Sequence, residues 1–158
     1  MKKLFIATTC LFSFMGAQAQ LKTTKLCPPV VVDILDGKVN QLYSSSTAGE
    51  IKSQLPCFTS AEDNGCGGIF YKDNDIYFYT ERDYVEIREK FKGKLSLPLL
   101  GASRSGLFKL LGHPKLKDVN WDAFQMAYGT LVLYYNKAGK VNKLQFSVKS
   151  SEAMNLCE

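Results

Sequence analysis

The first nineteen residues set the strongest constraint on what this chain can fold into, because they have the pattern of a removable export signal. Lys2 and Lys3 precede an apolar run over residues 4–16, and an Ala-Gln-Ala triplet follows at residues 17–19. A cationic start, a short apolar centre and an A-x-A site are typical of a secretory signal peptide. We expect cleavage after Ala19 and export of the mature chain into an oxidising compartment, which is periplasmic in a Gram-negative source and extracellular otherwise.

Removing this leader changes the cysteine count. Cys10 lies within it, so four of the five cysteines remain, and an even number in an exported chain predicts two disulfides. Three pairings are possible. We expect Cys57 to pair with Cys66 across a short polar loop and Cys27 to pair with Cys157. The second bridge would fasten the two mature ends together.

Length and charge indicate one domain without a nucleic-acid or membrane function. The chain has 158 residues and a formal charge of +5, part of which belongs to the leader. We expect an N-terminal arm over residues 20–29 and a single domain over residues 30–158. The cationic residues form no long run, and no second apolar stretch approaches the length of a membrane span. A diffuse positive charge favours an acidic protein partner over nucleic acid.

Hydrophobic patterning predicts an α+β domain, in which an antiparallel sheet carries helices on one face. The clearest helix is expected over residues 81–92, because Thr80 and Asp83 form a shortened capping box and Tyr84, Ile87 and Phe91 recur at helical spacing. The other predicted elements are strands 30–35 and 38–43, a helix from the 44–47 cluster to Leu55, a hairpin over 69–79, a helix over 103–111 and a three-stranded meander over 121–148.

Aromatic residues of the predicted hairpin supply the candidate contacts. A turn at residues 73–74 would pair Tyr71 with Ile76 and Phe70 with Tyr77, so that both faces of the hairpin are apolar. One face should cover the core, and the other is buried under helix 81–92 or exposed for binding. In the meander, Leu131, Leu133, Leu144 and Phe146 should point inward, with Val132 and Tyr134 outward. The predicted partner contacts are Phe70, Lys72, Tyr77, Tyr79, Arg104 and Tyr134.

Two short echoes raise the question of an internal repeat. Residues 37–42 recur in similar form at residues 139–144, and a short capped helix ends before Pro56 and again before Pro114. Two degenerate helix-plus-hairpin repeats would explain both echoes. Reuse of the same turn and helix-stop chemistry explains them equally well.

The segment 103–147 resembles a unit found in two known groups of proteins. A capped helix over residues 103–111 ends in Leu110-Leu111-Gly112-His113-Pro114, and strands with turns at 128–129 and 138–141 follow. This order is similar to the helix, LLGxP and β-meander unit of the outer-membrane assembly protein BamE and of the secreted β-lactamase inhibitory proteins. The chain lacks the lipoprotein cysteine of BamE and shares size, secretion and disulfide use with the inhibitors. The resemblance implies a helix packed on a meander and a role in binding another protein.

The sequence offers little catalytic chemistry. His113 is the only histidine, which leaves neither a zinc-type cluster nor a hydrolytic triad, and no nucleophile or phosphate-binding motif occurs. The run 73–75 lacks the glycine and distal glutamate of a calcium loop and is expected to be a hairpin tip. The carboxylates of Glu81, Asp83 and Glu86 are the remaining enzymatic option. We therefore predict no catalytic residue, no metal and no cofactor.

These observations favour an exported, non-enzymatic binding protein. The leading hypothesis is an inhibitor or immunity-type protein that neutralises an envelope hydrolase or a toxin. The first alternative is a structural or assembly factor of the bacterial cell envelope. The third is a cell-wall glycan hydrolase that works through two carboxylates.

Overall fold

The computed structural model describes residues 27–62 and 65–157. The predicted export signal and the first part of the predicted arm lie outside these residues. Two α-helices and twelve strands occur within the described ranges. They are β1 Val31–Asp33, β2 Lys38–Val39, β3 Leu42–Tyr43, α1 Ala48–Gln54, β4 Ser60–Glu62, β5 Gly68–Tyr71, β6 Ile76–Tyr79, β7 Tyr84–Arg88, β8 Lys94–Leu95, α2 Arg104–Leu111, β9 Leu116–Lys117, β10 Trp121–Met126, β11 Gly129–Tyr135 and β12 Val141–Ser147.

A large antiparallel sheet organises the domain. Its eight strands run in the order β4-β5-β6-β7-β12-β11-β10-β9, so it consists of two four-stranded meanders that meet where β7 pairs with β12. A helix precedes each meander, which gives the α+β fold that the sequence predicts. A smaller sheet has the order β3-β2-β1-β8, and its β1–β8 pair is parallel. The shared order of helix and meander is consistent with two related halves, and their duplication stays a prediction.

One of the two sequence echoes marks a common turn. Gly37 and Gly139 have φ values of +64° and +66°, a left-handed conformation that glycine adopts without steric cost. The strand after Gly37 belongs to the small sheet, whereas the strand after Gly139 is β12 of the large sheet. The two stretches therefore share a left-handed glycine turn, although one turn joins β1 to β2 of the small sheet and the other joins β11 to β12 of the large sheet.

Both short helices lie where their caps predict. Thr47 begins α1 with a capping box, in which the Thr47 hydroxyl accepts a hydrogen bond from the Glu50 amide and the Glu50 carboxylate accepts one from the Thr47 amide at 2.7 Å. Pro56 follows its end. Helix α2 begins after Ser103 and ends at Gly112, where φ is +77°. Ser103 occupies the N-cap position of α2 but its side chain makes no capping hydrogen bond, so α1 alone has the side-chain cap that the sequence predicts.

Replacing Thr47 with alanine should destabilise the domain by about 1 kcal/mol, because the first turn of α1 loses the hydroxyl that accepts from the Glu50 amide. Urea unfolding followed by circular dichroism measures the change. Ser45→Ala is the matched control, since Ser45 is exposed and precedes the cap. Equal losses in both variants would contradict a specific role of the cap.

The predicted helix over residues 81–92 is wrong. Residues 80–83 form a turn in which Asp83 has φ of +56°, and the chain then continues as β7. Val85 and Ile87 point into the core, while Tyr84 and Glu86 point to the opposite face. Residues 84–87 are therefore buried on both faces of the sheet, and β-branched and aromatic side chains suit such a strand. The helical spacing of Tyr84 and Ile87 arises by coincidence from two different faces.

One face of the large sheet forms one side of the core. The two helices and the small sheet together form the other side. The hairpin register is confirmed, since Tyr71 pairs with Ile76 and Phe70 with Tyr77. Val132 was expected to face outward and is 5% exposed, because the C-terminal segment covers it. The inward positions predicted for the meander are confirmed for Leu131, Leu133, Leu144 and Phe146.

Two disulfides are present, as expected, but the predicted pairing is wrong. Cys27 bonds to Cys57 and Cys66 bonds to Cys157, with Cα–Cα distances of 5.6 and 5.9 Å. The N-terminal stretch lies beside the end of α1, which brings Cys27 to Cys57. The segment after β12 crosses the large sheet and places Cys157 beside β5 and β7, where its amide donates to the Tyr84 hydroxyl at 3.2 Å.

Both bridges indicate folding in an oxidising compartment. Among the residues that the structure describes, no helix has the length and apolar character needed to cross a bilayer.

Candidate binding face of the large sheet

The face of the large sheet that points away from the helices carries a cluster of aromatic and charged side chains. We call it the outer face. Residues alternate along a strand, so one set of positions on β5, β6, β7, β11 and β12 shares this side. The cluster consists of Phe70, Tyr77, Tyr79, Glu86, Arg88, Tyr134, Lys143 and Gln145.

Phe70 supports two partly exposed tyrosines. Its ring centroid lies 5.7 Å from that of Tyr77 and 5.2 Å from that of Tyr79. Tyr79 in turn stacks on Tyr84, with centroids 4.4 Å apart. Phe70 itself is only 6% exposed. It therefore presents little surface of its own and fixes the tyrosines, which are accessible.

A buried carboxylate organises the charged part of the cluster. Glu86 is 3% exposed, and the Arg88 Nε donates to its Oε1 at 2.5 Å. Its Oε2 accepts from the Gln145 amide at 2.6 Å and lies 3.7 Å from the Lys143 Nζ. Burying a carboxylate is tolerated when its oxygens are paired. Two cations face one anion here, so the group carries an excess positive charge.

The two cations also rest on tyrosine rings. The Arg88 guanidinium carbon lies 4.2 Å from the centroid of Tyr77, and the Lys143 Nζ lies 4.0 Å from that of Tyr134. Both distances are within cation–π range. The Tyr134 hydroxyl donates to the Gln145 side-chain oxygen at 2.8 Å. Charge and aromatic surface are thus held in one fixed arrangement.

Two clefts flank this arrangement. One, of about 430 Å³, is bordered by Phe70, Tyr79 and Glu86, and the other, of about 520 Å³, by Asp75 and Lys90 among others. Arg88 and Lys143 line both clefts. Arg88 and Lys143 are therefore accessible from either side, with the carboxylate of Glu62 beside them in the smaller cleft and those of Asp75 and Glu89 in the larger one.

The structure brings together four of the six predicted contact residues. Phe70, Tyr77, Tyr79 and Tyr134 share the outer face. Lys72 follows β5 in a one-turn 3₁₀ helix, and its Nζ lies 3.7 Å from Glu62, which borders the smaller cleft.

Arg104 is separated from the others, because it begins α2 on the helix-bearing side of the sheet. Its guanidinium binds Asp122 through two nitrogens, at 2.5 and 2.9 Å, and also donates to the carbonyl oxygens of Asp118 and Val119. These internal partners occupy the polar atoms that were expected to meet a partner protein.

Sequence reasoning did not include Glu86, Arg88 and Lys143 among the predicted partner contacts. Glu86 was considered only as a candidate catalytic carboxylate, and both Glu86 and Arg88 fall within the segment predicted to be helical. The alternation of Tyr84, Glu86 and Arg88 with two β-branched residues was the signal that could have placed them on one face of a strand.

The three carboxylates that were considered for catalysis lie in different environments. Asp83 lies in the turn before β7 and pairs with the Lys149 Nζ at 2.8 Å. Glu86 is buried in the network described above, and Glu81 is exposed in the same turn. His113 packs against Phe108, with ring centroids 5.9 Å apart. Within residues 27–62 and 65–157, no three His, Cys, Asp or Glu side chains are grouped to hold a metal ion.

Burial of the tyrosines predicts a sharp loss of stability in alkali. Desolvation raises the pKa of Tyr134 to about 12, with a smaller contribution from Glu86, and desolvation also raises the pKa values of Tyr71, Tyr84 and Tyr128. A raised pKa in the folded state means that the stabilising contribution is complete below the unfolded value near 10. It is lost as the pH rises toward 12.

We therefore expect the free energy of unfolding to fall steeply above about pH 10. Phenolate absorbance, measured beside circular dichroism, should show the buried tyrosines ionising as the fold is lost. Protein in concentrated urea is the reference, and its tyrosines should ionise near pH 10. The same titration curve for native and urea-unfolded protein would contradict the expectation.

Comparison with known proteins gives no relative. No family model matches the chain, and neither the curated proteins nor the solved structures provide a significant match.

Proposed function

We propose that this chain is an exported binding protein that neutralises another protein through the outer face, as an inhibitor or immunity-type protein does. The observation that carries this proposal is the fixed group of Arg88, Lys143, Tyr77 and Tyr134 around the buried Glu86. The target we propose is a hydrolase or toxin of the cell envelope with an acidic surface.

The chemistry of the outer face supports this proposal. Tyrosine and arginine are enriched at the centres of protein interfaces, because they combine a large apolar area with directed polar contacts. Arg88 and Lys143 share one carboxylate, which leaves positive charge available to an acidic partner. The group lies on strands of a disulfide-bonded domain, so little conformational entropy would be lost on binding.

The predicted export signal and the two disulfides support a location outside the cytoplasm. The resemblance of residues 103–147 to the inhibitory and assembly proteins adds support for a protein partner. We accordingly propose the periplasm of a Gram-negative cell, or the medium around other cells, as the place of action.

Affinity capture from envelope extracts tests the proposal. The mature protein is compared with Tyr77→Ala/Arg88→Ala and with Lys137→Ala, a control at an exposed turn. We expect the unmodified protein and the control to retain a soluble hydrolase or toxin. The double variant should bind the purified partner at least about tenfold more weakly, because two central contacts are removed.

A second measurement links binding to function. The captured partner should lose its activity when an equimolar amount of the unmodified protein is added. It should keep that activity when the same amount of the double variant is added instead. Equal retention by all variants would overturn the role of the outer face. Co-purification of membrane assembly components alone would overturn inhibition and favour an assembly factor.

A further inference from the structure

The positive and negative charges of this chain are separated along its sequence, although the formal total is only +5. Residues 27–89 contain five Lys and Arg against eleven Asp and Glu, a formal charge of −6. Residues 90–158 contain eleven against four, a formal charge of +7. The first range supplies β4 to β7 and the second supplies β9 to β12. One half of the large sheet is therefore acidic and the other half basic, an asymmetry that is typical of proteins that bind nucleic acid or a membrane.

The basic half has four exposed lysines around α2 that form no ion pair in the described ranges. They are Lys109, Lys117, Lys137 and Lys140. Lys109 belongs to α2 itself, and the Lys117 Nζ lies 5.8 Å from the ring centroid of Phe108 on the same helix. Lys140 forms an isolated antiparallel bridge with Ser103, the residue that precedes α2. The helix thus holds the two lysine-bearing loops beside it.

The carboxylates of this region leave the four lysines without compensation. Residues 99–147 contain two carboxylates, Asp118 and Asp122. Asp122 is 0% exposed and accepts from Arg104 and from the Tyr135 hydroxyl. Asp118 is exposed and is a single charge. The surface around α2 therefore has an excess of positive charge.

Two exposed aliphatic side chains lie beside these lysines. Val119, in the loop between β9 and β10, is 82% exposed, and Leu110 on α2 is 49% exposed. The Val119 carbonyl oxygen accepts from the Arg104 guanidinium at 2.9 Å, which fixes this loop beside the first turn of α2. We call these two residues and the four lysines the α2 face. It is distinct from the outer face, which lies on the other side of the large sheet.

We propose that the α2 face docks on a lipid bilayer that contains anionic phospholipids. Its lysines would bind lipid phosphate groups, while Val119 and Leu110 enter the headgroup layer. The composition of the face favours lipid over an acidic protein, because lysine is depleted at protein interfaces, where aromatic residues and arginine are enriched. Docking in this way leaves the outer face directed away from the bilayer, and it does not depend on the proposed function.

Sedimentation with lipid vesicles tests the proposal. The mature protein with both disulfides intact is mixed with vesicles of phosphatidylcholine and, separately, with vesicles of equal parts phosphatidylcholine and phosphatidylglycerol. We expect binding to the anionic vesicles alone. Raising the salt concentration from about 50 mM to about 500 mM should release the protein, because salt screens the attraction between lysines and phosphates.

Two variants of equal charge locate the contact. Lys109→Gln/Lys117→Gln should weaken binding to anionic vesicles about twentyfold, because each lysine near an anionic surface contributes about fivefold. Lys52→Gln/Lys72→Gln removes the same charge from the acidic half and should stay within about twofold of the unmodified protein. Circular dichroism establishes that both variants are folded.

A second pair of variants tests the apolar contact. Val119→Gln should weaken vesicle binding about threefold, since an apolar side chain no longer enters the headgroup layer. Leu35→Gln is the matched control, because Leu35 is 53% exposed but lies in the turn between β1 and β2. It should bind like the unmodified protein.

Three results would overturn the proposal. One is no binding to anionic vesicles at the lower salt concentration. Another is an equal loss in the two lysine variants, since total charge and not the α2 face would then decide. The third is binding of soluble poly-glutamate as tightly as the anionic vesicles, since the face would then recognise acidic polypeptide. None of these results bears on the outer face, so the two proposals fail independently.

Discussion

Replacing Arg104 with alanine is expected to lower the free energy of unfolding by about 3 to 5 kcal/mol, because it leaves a buried carboxylate without its cation. Asp122 is 0% exposed. Arg104 binds both of its oxygens, and the Tyr135 hydroxyl donates to one of them at 2.7 Å. The same guanidinium holds the loop at residues 118–119, which connects β9 to β10.

Chemical unfolding of Arg104→Ala measures this loss. Lys115→Ala is the matched control, since Lys115 pairs with Glu152 at the surface and an exposed ion pair contributes at most about 1 kcal/mol. Asp122→Asn and the double variant complete a cycle. We expect the double variant to lose less than the two single losses together, because the charges are removed as a pair. A small loss in Arg104→Ala would refute the structural role.

The second large effect concerns the bridge between Cys66 and Cys157. Replacing both cysteines with serine should destabilise the domain by about 4 kcal/mol, because the bridge closes a long loop in the unfolded chain. The two cysteines are 91 residues apart. The C-terminal segment would also lose its anchor to the sheet, so Trp121 beneath it should become more exposed to water.

The other bridge provides the control. Cys27 and Cys57 are 30 residues apart, so Cys27→Ser/Cys57→Ser should cost somewhat less, about 3 to 4 kcal/mol in the same loop-entropy account. Trp121 emission should shift to longer wavelength only when the Cys66–Cys157 bridge is absent. An equal shift in both variants would show that the C-terminal segment is held by other contacts.

Local signals predicted part of this fold. Thr47 and Pro56 delimit α1, and alternation gave the register of Phe70 with Tyr77, because these features depend on neighbours in sequence. The helix prediction for the segment after Thr80 was wrong, because the apolar spacing of this segment fits both a helix and a strand that is buried on both faces. The pairing of β7 with β6 on one side and with β12 on the other decides between the two.

In the candidate site, too, local features were predictable and contacts between distant parts of the sequence were not. The tyrosines of the outer face were found from strand alternation alone. The contact between Glu86 and Lys143 joins two strands that are neighbours in the sheet but far apart in the sequence. No local sequence pattern therefore predicts it. The cysteine pairing failed for a related reason. The C-terminal segment crosses the sheet to β5, and a path of this kind depends on the whole fold.

The junction of the two meanders has a consequence for how the chain folds. The strands β7 and β12 pair along five positions, from Tyr84 with Ser147 to Arg88 with Lys143. A chain that emerges from its N-terminus completes the first meander early and then exposes β7 as an unpaired edge until β12 follows. Such edges recruit foreign strands, and distant pairings form slowly. The interval before β12 arrives is therefore when this protein is most exposed to aggregation.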